Sequence, residues 1–182
     1  MRFGADGLAA GARYVASPNC DSRPQGQDVT LLVVHSISLP PQTYGGQGIE
    51  RLFTNRLDPA EHPHYAQIAH LHVSAHLLLR RNGDLIQFVP LHMRAWHAGD
   101  SSWRGRRGCN DYSVGIELEG SDADSYGDAQ YAQLVEVTRA LRRVLPLREV
   151  AAHSDIAPLR KTDPGARFDW AQFLSDLAQR SL

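Results

Sequence analysis

The stretch TLLVVH, residues 30–35, holds three β-branched residues among its six and ends on a histidine. It is too short for a helix and shows no polar alternation. Such a run reads as a strand buried on both faces, closed by a polar side chain at the point where the chain leaves the sheet. The turn-prone SISLPPQTYGG follows.

The flanking sequence supplies the rest of a sheet and its cover. Short helices are expected over GIERLFTN (48–55) and within PAEHPHYAQIAHL (59–71). VSAHLLL and LIQFVP flank RRNGD, where Asn82-Gly83 signals a two-residue hairpin turn. SVGIELEG (113–120) alternates, with Val114, Ile116 and Leu118 on one face and Glu117 and Glu119 on the other. Tyr131, Leu134, Val135, Thr138, Leu141 and Leu145 recur at helical spacing over 128–145, with Asp128 as the expected cap and Pro146 beyond the end. REVAAH (148–153) reads as a strand ending on His153, and DWAQFLSDLAQR (169–180) as a closing helix. Residues 1–29, rich in Gly, Ser, Pro and Asp, read as an irregular arm lying over the domain. The expectation is a single α/β (α+β) domain over residues 1–182, one mixed β-sheet flanked by helices.

Bulk properties remove several function classes. The chain has 182 residues, 42% hydrophobic and 21% charged, with a formal net charge of −1. That balance suits a globular domain with a full core and gives no basic footprint for nucleic acid or a membrane surface. WRGRRG at 103–108 is the one basic cluster, and it is short. No run reaches the roughly 20 apolar residues of a membrane span, and the first 20 residues lack the apolar segment of a signal peptide. Two cysteines, Cys20 and Cys109, make no disulfide framework. The missing signal segment and the two lone cysteines favour a reducing, cytoplasmic setting, and a monomer is expected.

Nine histidines are the compositional oddity, numerous enough to suggest a metal. His35 and His153 both end apolar strands, and Asp163 follows His153 by ten residues across HSDIAPLRKTDPG (153–165). Two imidazoles and a carboxylate on tetrahedral zinc leave a fourth position open, as catalytic sites require. Competing histidines are HPH (62–64), HLH (70–72) and His76, for which helix-surface or sheet-face positions are the simpler reading, and His97 in AWHAG. A carboxylate above the metal could serve as general base, but the pattern does not separate Glu117 from Glu119, and either suits a solvent-facing strand position. Lys161 is the only lysine beside 18 arginines. A compact ammonium suits a developing oxyanion in a tight space better than a planar guanidinium does.

LLVVHSISLPP, HPHYAQIAHLHVSAHLLLRRNGDLIQFVP, RAWHAG, CNDYSVGIELEG, DAQYAQLVEVTRAL and HSDIAPLRKTDPG followed by FDW occur in that order. Together, over about residues 12–173, they resemble the cytoplasmic anhydro-N-acetylmuramyl-L-alanine amidases, within the wider zinc amidase and peptidoglycan-recognition superfamily. The resemblance implies one Zn2+ per chain, with His35, His153 and Asp163 as ligands. It also implies Glu117 as the catalytic carboxylate and Lys161 as the assisting cation. The substrate implied is a muropeptide cut between muramic acid and L-alanine during cell-wall recycling. A metal-free muropeptide-binding module and an exported wall amidase are the alternatives. The sequence departs from the family pattern at Ser36, Ala152, Ser154 and His72. Ser36, His72, Trp96, His97, Arg106 and Arg107 are candidate substrate contacts.

Overall fold

The computed structural model describes residues 1–179. The expected final helix reaches Arg180, which lies outside the described residues. In chain order the strands are β1 (Arg13–Tyr14), β2 (Cys20–Ser22), β3 (Leu31–Ile37), β4 (Leu77–Leu79), β5 (Leu85–Gln87), β6 (Met93–Ala95), β7 (Ser102–Trp103), β8 (Arg106–Arg107), β9 (Ser113–Glu119) and β10 (Glu149–Ala152). The helices are α1 (Gly48–Phe53), α2 (Pro63–Ile68), α3 (Asp128–Val144), α4 (His153–Ile156) and α5 (Trp170–Ala178). Among the described residues, six strands form the main sheet in the order β1-β5-β4-β9-β3-β10, while β2 pairs with β6 and β7 with β8. Strands β4, β9, β3 and β10 run parallel, and β5 returns antiparallel to β4. The sheet is therefore mixed, with helices on its faces, as expected.

TLLVVH is central in this sheet, between β9 and β10. Leu32 and Val34 point into the core beneath α3 and α5, with Val114, Ile116, Leu118, Leu134, Leu141 and Phe173. Leu31 and Val33 point the other way, with Ala98, Cys109 and Ile156. Each side chain hidden in this way contributes about 1.5–3 kcal/mol relative to exposure, so burial on both faces holds the strand inside the sheet. His35 shares parity with Leu31 and Val33 and emerges on the face opposite α3.

Several local expectations need correction. β3 runs two residues past His35, because Ser36 and Ile37 keep ladder partners in Leu118 and Glu119. His153 does not end a strand. It opens α4, whose turn is fixed by Asp155 Oδ2 accepting the Ala152 N–H at 2.8 Å. The hairpin closes through a three-residue loop: the Arg80 N–H bonds the Asp84 carbonyl at 2.9 Å, and only Gly83, at φ 90°, takes the left-handed conformation. Asp128 is the first helical residue of α3, not its cap. The preceding Gly127 N–H bonds Gln130 Oε1 at 3.2 Å. Helix α2 is shorter than the window suggested, since His62 caps it through Nδ1 and Pro63 begins it.

The N-terminal arm is irregular only in part. It adds β1 to the sheet edge beside β5 and β2 beside β6. The Arg23 guanidinium reaches under the sheet edge, donating to the carbonyls of Leu91, Asn110, Asp111 and Ser113 at 2.9–3.3 Å. Burial lowers its pKa to about 10, with Asp111 opposing the fall, so it stays charged at neutral pH.

Candidate functional site

In-register pairing builds the floor of the site. His35 on β3 lies directly opposite Glu117 on β9, and Glu117 lies opposite Leu78 on β4. Facing residues on neighbouring strands share one side of the sheet, so imidazole and carboxylate stand side by side. His153 arrives from the start of α4, and Asp163 from the loop that follows. That loop is fastened to α4 by the Ser154 N–H donating to the Asp163 carbonyl at 3.0 Å, and Tyr126 Oη donates to the Pro164 carbonyl at 2.8 Å. Between them the Lys161 N–H bonds the Ala157 carbonyl at 3.0 Å, which turns the lysine back toward the groove.

Three of the predicted residues converge. His35 Nδ1 lies 2.8 Å from His153 Nδ1 and 3.2 Å from Asp163 Oδ2, and His153 Nδ1 lies 3.0 Å from Asp163 Oδ2. The two rings are 1% and 3% exposed, leaving water little share in these contacts. A tetrahedral ion with nitrogen and oxygen donors about 2.0–2.1 Å away holds them about 3.3 Å apart. The spacing and the two-nitrogen, one-oxygen donor set both fit a metal ion such as zinc. No other histidine group has the spacing of a metal site among the described residues: His62 caps α2, while His76 is buried with Nδ1 accepting the Gly115 N–H at 3.0 Å.

Electrostatics separate the carboxyls. Burial, above all, pushes the His35 pKa down to about 4, so its ring is neutral at pH 7. Burial works to raise the Asp163 carboxyl, but its contacts with His153 and His35 outweigh that and hold it below the ordinary carboxylate range. Glu117 moves the other way. Burial lifts its carboxyl well above the usual range, the Asp163 charge adds to the rise, and the Lys161 ammonium opposes it. Glu117 Oε2 is enclosed without a hydrogen-bond partner. Such an oxygen can take up or release a proton with no competing protein contact. Glu119 does not face solvent. It is 2% exposed and bonded to Arg80 Nη1 at 2.6 Å and to the Gly45 N–H at 2.7 Å.

A cavity of about 240 Å³ opens on this centre. Ser36, Trp96, His97, Glu117, His153, Lys161 and Asp163 line it, and Leu52, Phe53, Leu71 and Val73 form an apolar wall the sequence did not announce. His72 is exposed and is not among the lining residues, although its neighbours Leu71 and Val73 are. Arg106 and Arg107 lie on β8, away from the groove. The Arg106 guanidinium sits 3.8 Å above the Tyr112 ring, and Arg107 Nη2 is 3.4 Å from Asp100 Oδ1. Sequence reasoning also missed Gly115, Asn110, Ser113 and Arg160, which shape the site from behind. A Cβ at Gly115 would come within 2.5 Å of the His97 ring, so the strand under that ring must be glycine. CNDYSVGIELEG holds three of these four, but no periodicity distinguishes them from loop and strand residues.

Residues 25–166 match the family described as N-acetylmuramoyl-L-alanine amidase. The 1,6-anhydro-N-acetylmuramyl-L-alanine amidase AmpD of Escherichia coli K12 is 57% identical over 169 residues, 92% of each chain. A crystal structure of a selenomethionine AmpD derivative superposes with a TM-score of 0.94 at 53% identity, covering 97% of this chain and 99% of that one. The E. coli amidase AmiD, solved with anhydro-N-acetylmuramic acid-L-Ala-D-gamma-Glu-L-Lys as substrate, is 29% identical with a TM-score of 0.60, over 85% of this chain and 60% of that one. On the length of the match and the identity to these relatives, the chain belongs to the N-acetylmuramoyl-L-alanine amidase family.

Proposed function

We propose that the protein hydrolyses the amide bond between (anhydro-)N-acetylmuramic acid and L-alanine in muropeptides, with a zinc ion held by His35, His153 and Asp163. The observation that carries the reading is the triangle of His35 Nδ1, His153 Nδ1 and Asp163 Oδ2 beside the unpartnered Oε2 of Glu117. The curated relative named for this reaction, at 57% identity, supports the substrate class. So does the solved complex of AmiD with an anhydro-muropeptide.

When bound, zinc lowers the pKa of a coordinated water and polarises the amide carbonyl. Glu117 accepts the proton of the attacking water at Oε2 and returns it to the departing alanine amine. Its raised pKa suits the second role, because the protonated carboxyl must persist at neutral pH until the amine leaves. The Lys161 ammonium faces the negative charge that grows on the amide oxygen. Trp96 and the apolar wall of Leu52, Phe53, Leu71 and Val73 exclude water from the reacting bond and offer a surface to the sugar or the alanine methyl. Cys109 is buried and Cys20 half-buried, both as free thiols. They are consistent with a reducing, cytoplasmic setting and a role in cell-wall recycling, where we place a monomeric enzyme.

The test is hydrolysis of anhydro-muramyl tripeptide followed by chromatography, with protein as isolated, after chelation and after zinc is restored. Release of peptide should vanish with chelator and return with zinc. Lys161→Ala should lower kcat about a hundredfold, the typical cost of one oxyanion donor, while leaving zinc content unchanged. A folded, zinc-loaded protein that binds the muropeptide and never cleaves it would replace this reading with a binding module.

A further inference from the structure

Behind the three proposed ligands, one dipeptide touches both histidines. His35 Nε2 lies 2.9 Å from His97 Nδ1, and His153 Nε2 lies 3.3 Å from the Ala98 carbonyl oxygen. The backbone N–H groups of His97 and Ala98 both donate to one acceptor, Asn110 Oδ1, at 3.1 and 2.8 Å. Arg160 Nη2 donates to the same Ala98 carbonyl at 2.7 Å and to that of Asp100 at 2.8 Å.

The proton positions follow from groups that can act in only one sense. The Cys109 carbonyl can only accept, so the Ser113 hydroxyl, 2.6 Å away, donates to it. Ser113 Oγ therefore accepts from His97 Nε2 at 3.0 Å. With its proton on Nε2, the neutral His97 ring offers Nδ1 as an acceptor, and His35 must donate to it from Nε2. That leaves the His35 Nδ1 lone pair turned toward Asp163. The Ala98 carbonyl, likewise only an acceptor, draws the proton of His153 to Nε2 and frees its Nδ1. Gly115 lets the His97 ring lie against the strand where any Cβ would collide with it.

We infer that the His97–Ala98 dipeptide, clamped by Asn110 and keyed by Ser113, is a positioning element that sets both imidazoles with Nδ1 bare toward the metal site. The inference rests on the metal reading above. It makes His97 a positioning residue, acting on the reaction through His35. Groups of this kind fix the ring tautomer, and their loss typically weakens metal binding ten- to a hundredfold.

The test uses full-length 15N-labelled protein. Imidazole nitrogen spectra report the tautomer of each ring in the metal-free state, and competition with a chromophoric chelator gives zinc affinity. Wild-type His35 and His153 should both carry their proton on Nε2. Ser113→Ala should weaken zinc binding ten- to a hundredfold and turn His35 into a tautomer mixture, with His153 unchanged. Asn110→Ala should disturb both rings, whereas Asn110→Asp, which keeps the acceptor oxygen, should restore them. Folded Ser113→Ala and Asn110→Ala proteins with wild-type tautomers and zinc affinity would overturn the proposal. So would wild-type rings protonated on Nδ1, a result that needs no variant to fold. Wild-type protein that shows the Nε2–H tautomers and binds no zinc would defeat the metal reading on which the inference rests, while leaving the hydrogen-bond assignment standing.

Discussion

At the residue scale the site depends on groups whose proton affinity burial has moved. Glu117 has no partner on Oε2 and a raised pKa. Glu117→Gln should cut turnover by two to four orders of magnitude, the usual range for a general acid-base group, while zinc content stays at wild-type level. Peptide release within a few-fold of wild type would remove Glu117 from the mechanism. His76 gives a pH prediction independent of the reaction. Burial, with the Arg23 charge adding to it, lowers its pKa to about 3 from the ordinary imidazole value of about 6.5. Below pH 6.5 the unfolded chain takes up a proton that the folded chain refuses. Stability is therefore complete above pH 6.5 and falls as pH drops, by up to about 1.4 kcal/mol per pH unit for each such histidine. Urea midpoints measured at pH 7.5, 6 and 5 should fall in that order, and the drop should shrink in a folded His76→Gln variant. Little of this was legible in the sequence. His76 and His97 are both histidines in apolar surroundings, and only the contacts of their nitrogens tell a satisfied core ring from one that touches the metal site.

At the element scale the pairing of β9 sets the surroundings of Glu117 and Glu119 apart. SVGIELEG announces the alternation but offers Glu117 and Glu119 on one face. The structure carries β9 past Arg80, where Glu119 is enclosed by the Arg80 guanidinium and the N–H groups of Gly45 and Arg81. Removing one partner of a buried ion pair typically costs about 3–5 kcal/mol. Glu119→Ala should lower the unfolding free energy from urea titration by an amount in that range and loosen the Gly45–Gly46 loop, with the proposed zinc ligands untouched. A midpoint unchanged from wild type would mean that Arg80 finds equivalent partners in Glu50 and the Gly46 carbonyl, both already within 3.1 Å. The turn of α4 was misread for a related reason. His153 extends an apolar run, and strand and helix start differ there only by Asp155, two residues on, whose carboxylate accepts the Ala152 N–H.

At the scale of the whole molecule, the proposed ligands from β3, α4 and the following loop meet only in the folded chain. Binding that favours the folded state stabilises it by mass action, about 4 kcal/mol at a free ligand concentration a thousand times Kd. In a protein of this size that corresponds to roughly 8–16 °C in Tm. Calorimetry with zinc and with chelator should show a separation of this order, and coincident melts would argue against a structural share for the metal. Among the described residues, no helix is long and apolar enough to cross a membrane.

The sequence by itself determined the layered sheet, because apolar runs and helical periodicity record which faces must leave water. It also supplied the candidate ligand types and, through the order of its motifs, the family. Tertiary structure alone decided that Glu119 is a buried anchor, that β3 continues beyond His35, and that an apolar wall flanks the groove. It also decided that residues 97, 98, 110 and 113 stand behind the proposed ligands. Those facts depend on strand register and on hydrogen bonds between segments far apart in the chain, and periodicity along a single segment carries no record of either.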